Sequence, residues 1–491
     1  MKTSKPIKEL IPDILDHIQN QYEGQVQYNA KLIDIYEGQL LKYVIDSLRL
    51  ELNPKSFERA KERVSPINVL RKIVEKQART YEKPASRAIS EGNDVDKEVL
   101  AYYEESCDLD ANLQYASELL ELNKYVALEP YVAENKAAVR VLTAAEFLPY
   151  SDSKVNPHEM TVFIKFMGKK HKLIYQVDND GRVLEDKEAL VKEVSVFQCY
   201  SEDEYVKIDS DGDIEDYVQH NLGKIPFVYV KKTKNKLIPT PDSDNYAMAV
   251  LIPKLISDLN YAVQFLSHSK MYVIDAKVSK LDGNPDSLWT FKTDQNNPNS
   301  KPQIGAINPQ VDTEKVMKLV SDQILMWLDT KGLKTGNVGQ VEASASGIAK
   351  AIDEADATSI RQKQLLTWAD AEMNFWSLIT LLHSEWTKSN RLTQKSFSTN
   401  VEIETTFQEQ KPVINKLELL NEIEKEQKLG LTTPEISLRK YYPDKTDEEI
   451  QELLTKIEEH KASQKPDIPD PTNTIPQAGE EQEEEPEQPK E

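Results

Sequence analysis

Asp209, Asp211 and Asp213, in the stretch DSDGDIEDY, alternate as the first ligands of a calcium loop do. Such a loop also needs a glycine at its sixth position and a bidentate glutamate at its twelfth. Here those positions are Ile214 and His220, and the glycine falls at 212. The pattern reads better as a hairpin-type turn, as does DNDG at 178–181. Asp353 to Asp356 spell DEAD, a tetrapeptide that holds magnesium in helicase ATPases. Here it lies in SGIAKAIDEADATSIRQKQ, a polar stretch of helical character, and no G-x-x-x-x-G-K-[ST] loop exists to cradle phosphates. The seven histidines are scattered and form no HExxH pair, and no G-x-S-x-G elbow occurs. Cys107 and Cys199 are too few and too far apart for a disulfide framework or a zinc site, which fits a reducing compartment. KKTKNK at 231–236 could touch phosphate, but such a run more often forms a solvated loop between a strand and a helix. Neither a catalytic set nor a cofactor motif emerges.

The elements that would position these residues alternate in kind. Residues 1–130 read mainly as helix, with Ile7, Leu10, Ile11, Ile14, Leu15 and Ile18 at helical spacing. The stretch 63–84 suggests a helix with Ser65 as N-cap and Pro66 at its first position. Ile67, Leu70, Val74, Ala78 and Tyr81 would share one face, and Pro84 would end it. Residues 137–230 switch to short β-branched or aromatic runs: AAVRVLTAAEFLPY, TVFIKFM, HKLIYQV, EVSVFQCY, EYVKID and KIPFVYV. A helix follows over 242–268, with a kink or restart expected at Pro253. Residues 271–311 form an Asn-, Asp- and Pro-rich insertion. A second helix over 312–331 carries Val316, Leu319, Val320, Ile324, Trp327 and Leu328 as an apolar stripe; at about 1.5 Å per residue it spans roughly 30 Å. The stretch 332–347, with four glycines, should be a mobile loop. A long helix then runs to about Trp386, with Leu366, Ala369, Met373, Trp376 and Ile379 turned inward. VEIETTF at 401–407 alternates as a strand. Helices return over 412–462, with Gly430 suited to a C-cap, Thr433-Pro434 to a start, and Thr446 with Glu449 to a capping box.

The chain has 491 residues and a formal net charge of −22. The stretch from Gln464 to Glu491 holds nine acidic and two basic residues, so the remainder still carries −15. Such a surface does not grip nucleic acid by covering its phosphates. The tail itself, rich in Pro and Glu, reads as disordered. No stretch approaches the roughly 18 consecutive apolar residues of a membrane span, and the broken apolar run behind the first residues lacks the core of a signal peptide.

Three stretches in this order of elements resemble the tailed-bacteriophage portal, or head-to-tail connector, family over about residues 5–460. RVSPINVLRKIVEKQARTY is similar to the family's early wing helix. HNLGKIPFVYV at 220–230 is similar to the strand that ends the wing, and ASASGIAKAIDEAD at 344–356 to the start of the long helix after the tunnel loop. The resemblance implies an α+β, mainly helical subunit with a β-rich wing part, a two-helix stem, a small clip insertion and a helical crown. The wing would take residues 1–241 and the returning long helix and strand at 347–411. The stem helices would be 242–270 and 312–333, the clip 271–311, the tunnel loop 334–346, the crown 412–463 and a disordered acidic tail 464–491. Lys334, Thr335, Gly336, Asn337, Val338, Gly339, Gln340, Val341 and Glu342 would face DNA. Asn284, Asp286, Trp289 and Lys292 would offer clip contacts to a terminase or adaptor. The resemblance further implies a ring of twelve copies at the capsid vertex of the virion, assembled in the host cytoplasm, with no enzymatic activity and no cofactor. Its partners would be the terminase large subunit, the major capsid and scaffolding proteins, adaptor or tail proteins, and double-stranded DNA passing without sequence preference. Two other readings remain: another head–tail structural component such as an adaptor, which length disfavours, and an ATP-dependent packaging enzyme, which the missing phosphate loop disfavours.

Overall fold

The N-terminal helices are apolar on one side and follow one another without long loops. α1 (Ile7–Gln21) passes into α2 (Gln27–Asp34) through a single π-turn at Tyr22–Val26, and α2 into α3 (Leu40–Glu51) through a kink at Ile35–Gln39, where Gly38 has φ +107°. α4 (Pro54–Lys61) starts on Asn53, whose side chain accepts from the Ser56 N–H, with Pro54 at its first position. α5 (Val69–Gln77) is shorter than the expected helix over 63–84. Asn68, not Ser65, caps it by accepting from the Arg71 N–H, and residues 64–68 lie outside any helix. Ala78 and Tyr81 are buried as expected, but beyond the helix end. A computed structural model of the whole chain provides these coordinates. It describes residues 2–90, 92–174, 190–266, 270–274, 276–277, 292–293, 303–307, 313–333, 347–398, 401–408, 416–430, 432–442 and 450–457. The fold mixes 53% helix with 20% strand, as an α+β class requires.

β1 (Ser86–Ile89) precedes α6 (Asp94–Ser106) and α7 (Leu109–Asn123). α6 opens on a capping box in which Asn93 and Asp96 satisfy each other's backbone N–H groups. β2 (Tyr125–Ala133) then turns at Glu134 and Asn135, both at positive φ, into β3 (Lys136–Leu142). The helical reading of 1–130 therefore ends too late: β2 begins at Tyr125 and is paired on both edges, so it is buried on its flanks and lacks a simple alternation.

β4 (Phe147–Tyr150), β5 (Val162–Ile174), β6 (Leu190–Tyr200), β7 (Glu204–Asp209) and β8 (Ile214–Gln219) form one antiparallel sheet in chain order. TVFIKFM and HKLIYQV, expected as separate strands, are one strand as far as Ile174. Gly168, at φ +89°, takes up a bulge between Phe166 and Lys169 instead of a turn. IEDYVQ, absorbed into the turn reading, is the edge strand β8. β9 (Val228–Lys231) pairs with β2 to give the order β3-β2-β9. α1 covers the five-stranded sheet through Ile7, Leu10, Ile11, Ile14 and Ile18 against Leu148, Ile164, Phe197, Cys199 and Val206.

α8 (Ser243–Leu266) runs unbroken through Pro253, so no restart occurs there, and the Ser257 hydroxyl donates to the Pro253 carbonyl at 2.6 Å. β10 (Lys270–Ile274), β11 (Ala276–Lys277), β12 (Lys292–Thr293) and β13 (Gln303–Ile307) follow; β10 pairs with β13, and β11 with β12. α9 (Thr313–Thr330) packs on α8. α10 (Gly347–Lys388) contains the DEAD tetrapeptide, in keeping with its helical context. Its inward face differs from expectation. Leu366 and Met373 are 75% and 63% exposed, and Ala369 is exposed too; Arg361, Gln364, Trp368, Glu372, Phe375 and Trp376 are buried instead. Only Trp376 and Ile379 of the expected stripe lie inside. The polar members of the buried row hydrogen-bond to one another's neighbours, which an apolar pattern cannot reveal. β14 (Ile403–Thr406) pairs with β1 across more than 300 residues of sequence.

The chain divides into two compact units, Met1–Lys411 and Pro412–Glu491. In the second, α11 (Lys416–Lys428) ends at Gly430, φ +71°. α12 (Pro434–Tyr441) begins on Thr433, whose hydroxyl accepts from Ile436 N–H. Residues 450–457 are helical. The Thr446–Glu449 capping box, the DNDG turn and the acidic tail fall outside the described residues.

Candidate functional site

The segment 334–346 joins α9 to α10; the end of α9 and the middle of α10 are each tied to neighbouring helices and loops by side-chain hydrogen bonds. On the α9 side the helix closes with the Leu333 N–H on the Leu328 carbonyl at 2.9 Å. Gly332 between them has φ +71°, and a Cβ there would lie 3.2 Å from Ile360 Cδ1, so both backbone angle and space favour glycine. The Lys331 ammonium, buried to 7% exposure, donates to Asp242 Oδ2 at 2.9 Å and Asp244 Oδ1 at 2.8 Å. Trp327 Nε1 donates to the other oxygen of Asp244 at 3.0 Å. Lys124 completes the cluster at 2.9 Å from Asp242. Burial would raise the Asp242 carboxyl, but the two ammonium groups hold it below its ordinary range. These contacts bind the start of α8 to the end of α9.

On the α10 side, Gln364 spends all its hydrogen-bonding capacity inside the protein. Its amide N–H groups donate to the Gln77 carbonyl at 2.6 Å and Glu121 Oε1 at 2.8 Å; its oxygen accepts from the Arg79 N–H at 3.2 Å and the Thr80 hydroxyl at 3.3 Å. Gln77 Nε2 in turn donates to the Lys331 carbonyl at 3.0 Å. Gln77 of α5 thus links the end of α9 to the middle of α10. Between them opens a cleft of about 330 Å³ whose walls include Gln77, Glu121, Lys232, Lys331, Lys363 and Gln364. Two turns further along α10, Glu372 accepts from Tyr81 at 3.0 Å, Arg87 at 2.8 and 3.2 Å, Trp376 Nε1 at 2.9 Å and Thr405 at 3.3 Å.

The expected basic loop is not a bare patch. Lys231 donates to the carbonyls of His158, Lys234 and Lys236; Lys232 pairs with Glu121 and Lys234 with Asp370. The acidic turn is likewise occupied by lysines. Asp209 Oδ1 accepts from the Asp211 and Asp213 N–H groups at 3.0 Å each, its Oδ2 meets Lys172 at 2.9 Å, and Lys192 meets Asp211 at 2.6 Å. Lysines stand where a calcium ion would, and the described residues contain no group of three or more ligands arranged for a metal. Cys107 and Cys199 are both buried thiols, and burial pushes them up, to about 11 and about 12. Among the described residues no helix is long and apolar enough to cross a membrane.

Of the sequence-predicted site residues, Lys292 lies on β12, opposite Lys277. Asn284, Asp286 and Trp289, and Lys334 through Glu342, lie outside the described residues. Sequence reading missed the buried polar row of α10. The available signal was polar residues at core spacing on a helix: Arg361, Gln364, Trp368 and Glu372 recur every three or four positions and are all buried. A family model described as phage portal protein, SPP1 Gp6-like, matches residues 15–463. No curated protein matches the chain.

Proposed function

The chain belongs to the SPP1 Gp6-like phage portal family, structural proteins that form a ring at the capsid vertex, and from that premise we propose that it is the conduit for genomic DNA entering and leaving the head. Residues 242–270 and 312–333, built on α8 and α9, would be the stem, and 271–311 the clip. Residues 334–346 would be the tunnel loop, 412–463 the crown, and 1–241 with 347–411 the wing. The ring would hold twelve copies. It would meet capsid and scaffolding proteins during assembly, then the terminase large subunit at the clip, and later an adaptor or tail protein.

The observation that carries this reading is the succession α8, insertion, α9, short segment, α10 within a family match covering most of the chain. A helical hairpin has little core of its own, and a closed ring buries its remaining faces by repeating one heterologous contact. The charge of −22 suits a conduit, because an acidic wall gives sliding DNA few phosphate contacts to hold it. In 334–346 Lys334 is the single cation and Glu342 the single anion, so any contact with DNA would be weak and blind to sequence. The test is a short Gly-Ser linker in place of 335–341, read by negative-stain imaging and by packaged DNA length. Intact rings with shortened or leaking DNA are expected. Unchanged DNA content and infectivity would remove the tunnel-loop assignment.

A further inference from the structure

β5 and β6 outrun the sheet they belong to. β4 pairs with β5 only as far as Lys165, and β7 pairs with β6 only from Val196 onward. Beyond those points β5 and β6 still pair, through Lys169↔Ser195, His171↔Glu193 and Leu173↔Val191. Residues 169–173 and 191–194 therefore leave the sheet as a two-stranded ribbon, a form that is marginal in water unless something packs against it.

The two faces of this ribbon are treated differently. On one, Val194 is buried, and Lys170, Lys172 and Lys192 reach Asp209 at the end of β7, Asp211 and Asp213 in the turn after it, and Glu215 on β8. That face is fastened to the chain's own body, so the ribbon is held in one direction. The other face continues, by strand alternation along β6, the surface that α1 covers at Phe197 and Cys199. The cover runs out near Tyr22, which meets Phe166 at a ring distance of 6.1 Å. Past it, Leu173 and Val191 stand directly opposite each other, 55% and 63% exposed. Lys169 beside them is neutralised by Glu193 at 2.7 Å, so the patch lacks the positive field that would recruit DNA.

We propose that this bare face is an assembly arm that packs on the next copy of the chain in the ring, burying Leu173 and Val191. The inference rests on the ring reading above. A ring closes through a heterologous contact, in which a feature on one copy meets a different surface on the next. A ribbon fixed on one side and projecting past its sheet, with an exposed apolar pair set among Lys169, His171 and Glu193 on the other, has the form of such a feature. Its cross-strand apolar pair is also the kind of contact that stabilises sheets when covered.

The two native cysteines are buried, so a thiol introduced by Val191→Cys can be labelled selectively in the full-length protein. A benzophenone label there should give covalent multimers of the chain on irradiation of purified rings, and a bimane label should shift to the blue as rings form. Leu173→Glu with Val191→Glu should lower the ring fraction at least tenfold at equal concentration, with an unchanged circular dichroism spectrum. Rings that form while the label stays water-exposed and yields no chain-to-chain adduct would overturn the proposal, as would adducts made only with another capsid component. If the double variant fails to fold, the labelled Val191→Cys protein decides alone. If the unsubstituted protein makes no ring, the conduit reading falls first and this arm with it; rings with an exposed arm remove the arm only.

Discussion

Glu372 and Asp209 are both carboxylates with almost no exposed surface, yet they keep different company. Glu372 lies on α10 among Tyr81, Arg87, Trp376 and Thr405, and the Arg87 side chain is as buried as its own, at 1%. Tyr81 and Arg87 come from segments nearly 300 residues away. Asp209 ends a strand at the surface. It accepts two N–H groups from its own turn, and its lysine partners keep a quarter or more of their surface in water. The first site joins distant parts of the chain in a medium where an unpaired charge is costly. The second shapes a local turn, and its ion pairs are screened by solvent. Burial of the carboxylate alone does not separate them; burial of the partner does.

The sharpest way to break that contrast is Glu372→Ala. It leaves the Arg87 guanidinium inside the protein with only the half-exposed Asp110 and Glu104 beside it, and removes acceptors from Tyr81 and Trp376. Stranding one half of a buried pair costs about 3–5 kcal/mol, so the unfolding midpoint in urea should fall steeply. Arg87→Met combined with Glu372→Met should lose much less than Glu372→Ala, because no charge is left unpaired. A double variant as unstable as the single one would show that packing around α10, not the ion pair, dominates.

Asp209→Ala should have the next largest effect. Two turn N–H groups lose their acceptor, at a cost of about 1–2 kcal/mol. The substitution should also change the response to acid. Burial would raise the Asp209 carboxyl, but Lys172 and the Asp213 and Asp211 N–H groups hold it below its ordinary value. Its contribution is therefore fully present above the unfolded value of about 4 and disappears as pH falls through the lower folded value. The stability gap between the unsubstituted protein and Asp209→Ala should stay constant from pH 7 to about 5 and close below about 4. A gap that instead closes near neutrality would assign the effect to another group.

The same contrast explains which parts of the fold were legible in the sequence. Local signals carried through: α1's apolar face, the Thr433-Pro434 start, the Gly430 cap and the turn at 209–213 all appear where expected. Signals that depend on distant partners did not. Leu366, Ala369 and Met373 look like a core stripe, but the inner face of α10 goes to Arg361, Gln364 and Glu372 because Arg79, Gln77, Glu121 and Arg87 wait there to satisfy them. β2 was read as the end of a helical region because a strand paired on both sides need not alternate. Asn68 displaced Ser65 as a cap by one accepted N–H bond, a choice between two good residues three apart. The family resemblance succeeded because it drew on the order of elements, which survives such local errors. The buried polar row of α10 eluded it because it sets polar residues at core spacing.

The smallest expected effect is at Lys192, and it tests whether the turn cluster is a network or a set of separate pairs. Lys192 reaches Asp211 at 2.6 Å, and their side chains keep 49% and 30% of their surface in water. Pairs of that kind contribute little, since the attraction is weak in water and ordering two side chains opposes it. Asp211 also lies 3.6 Å from Lys172, which is held independently by Asp209 and Asp213. If the pairs act separately, Lys192→Met leaves the urea midpoint unchanged at both 50 mM and 500 mM salt, and Asp209→Ala costs the same in either background. If the lysines act as a network, removing Lys192 loosens Lys172 as well. The double variant would then lose less than the two single losses added together, because each would already have removed part of the same interaction. High salt would also shrink the Asp209→Ala effect. The exposure of Lys172 and Lys192 favours the first outcome. The Asp209 contribution is then carried by the two turn N–H groups, which added salt does not screen.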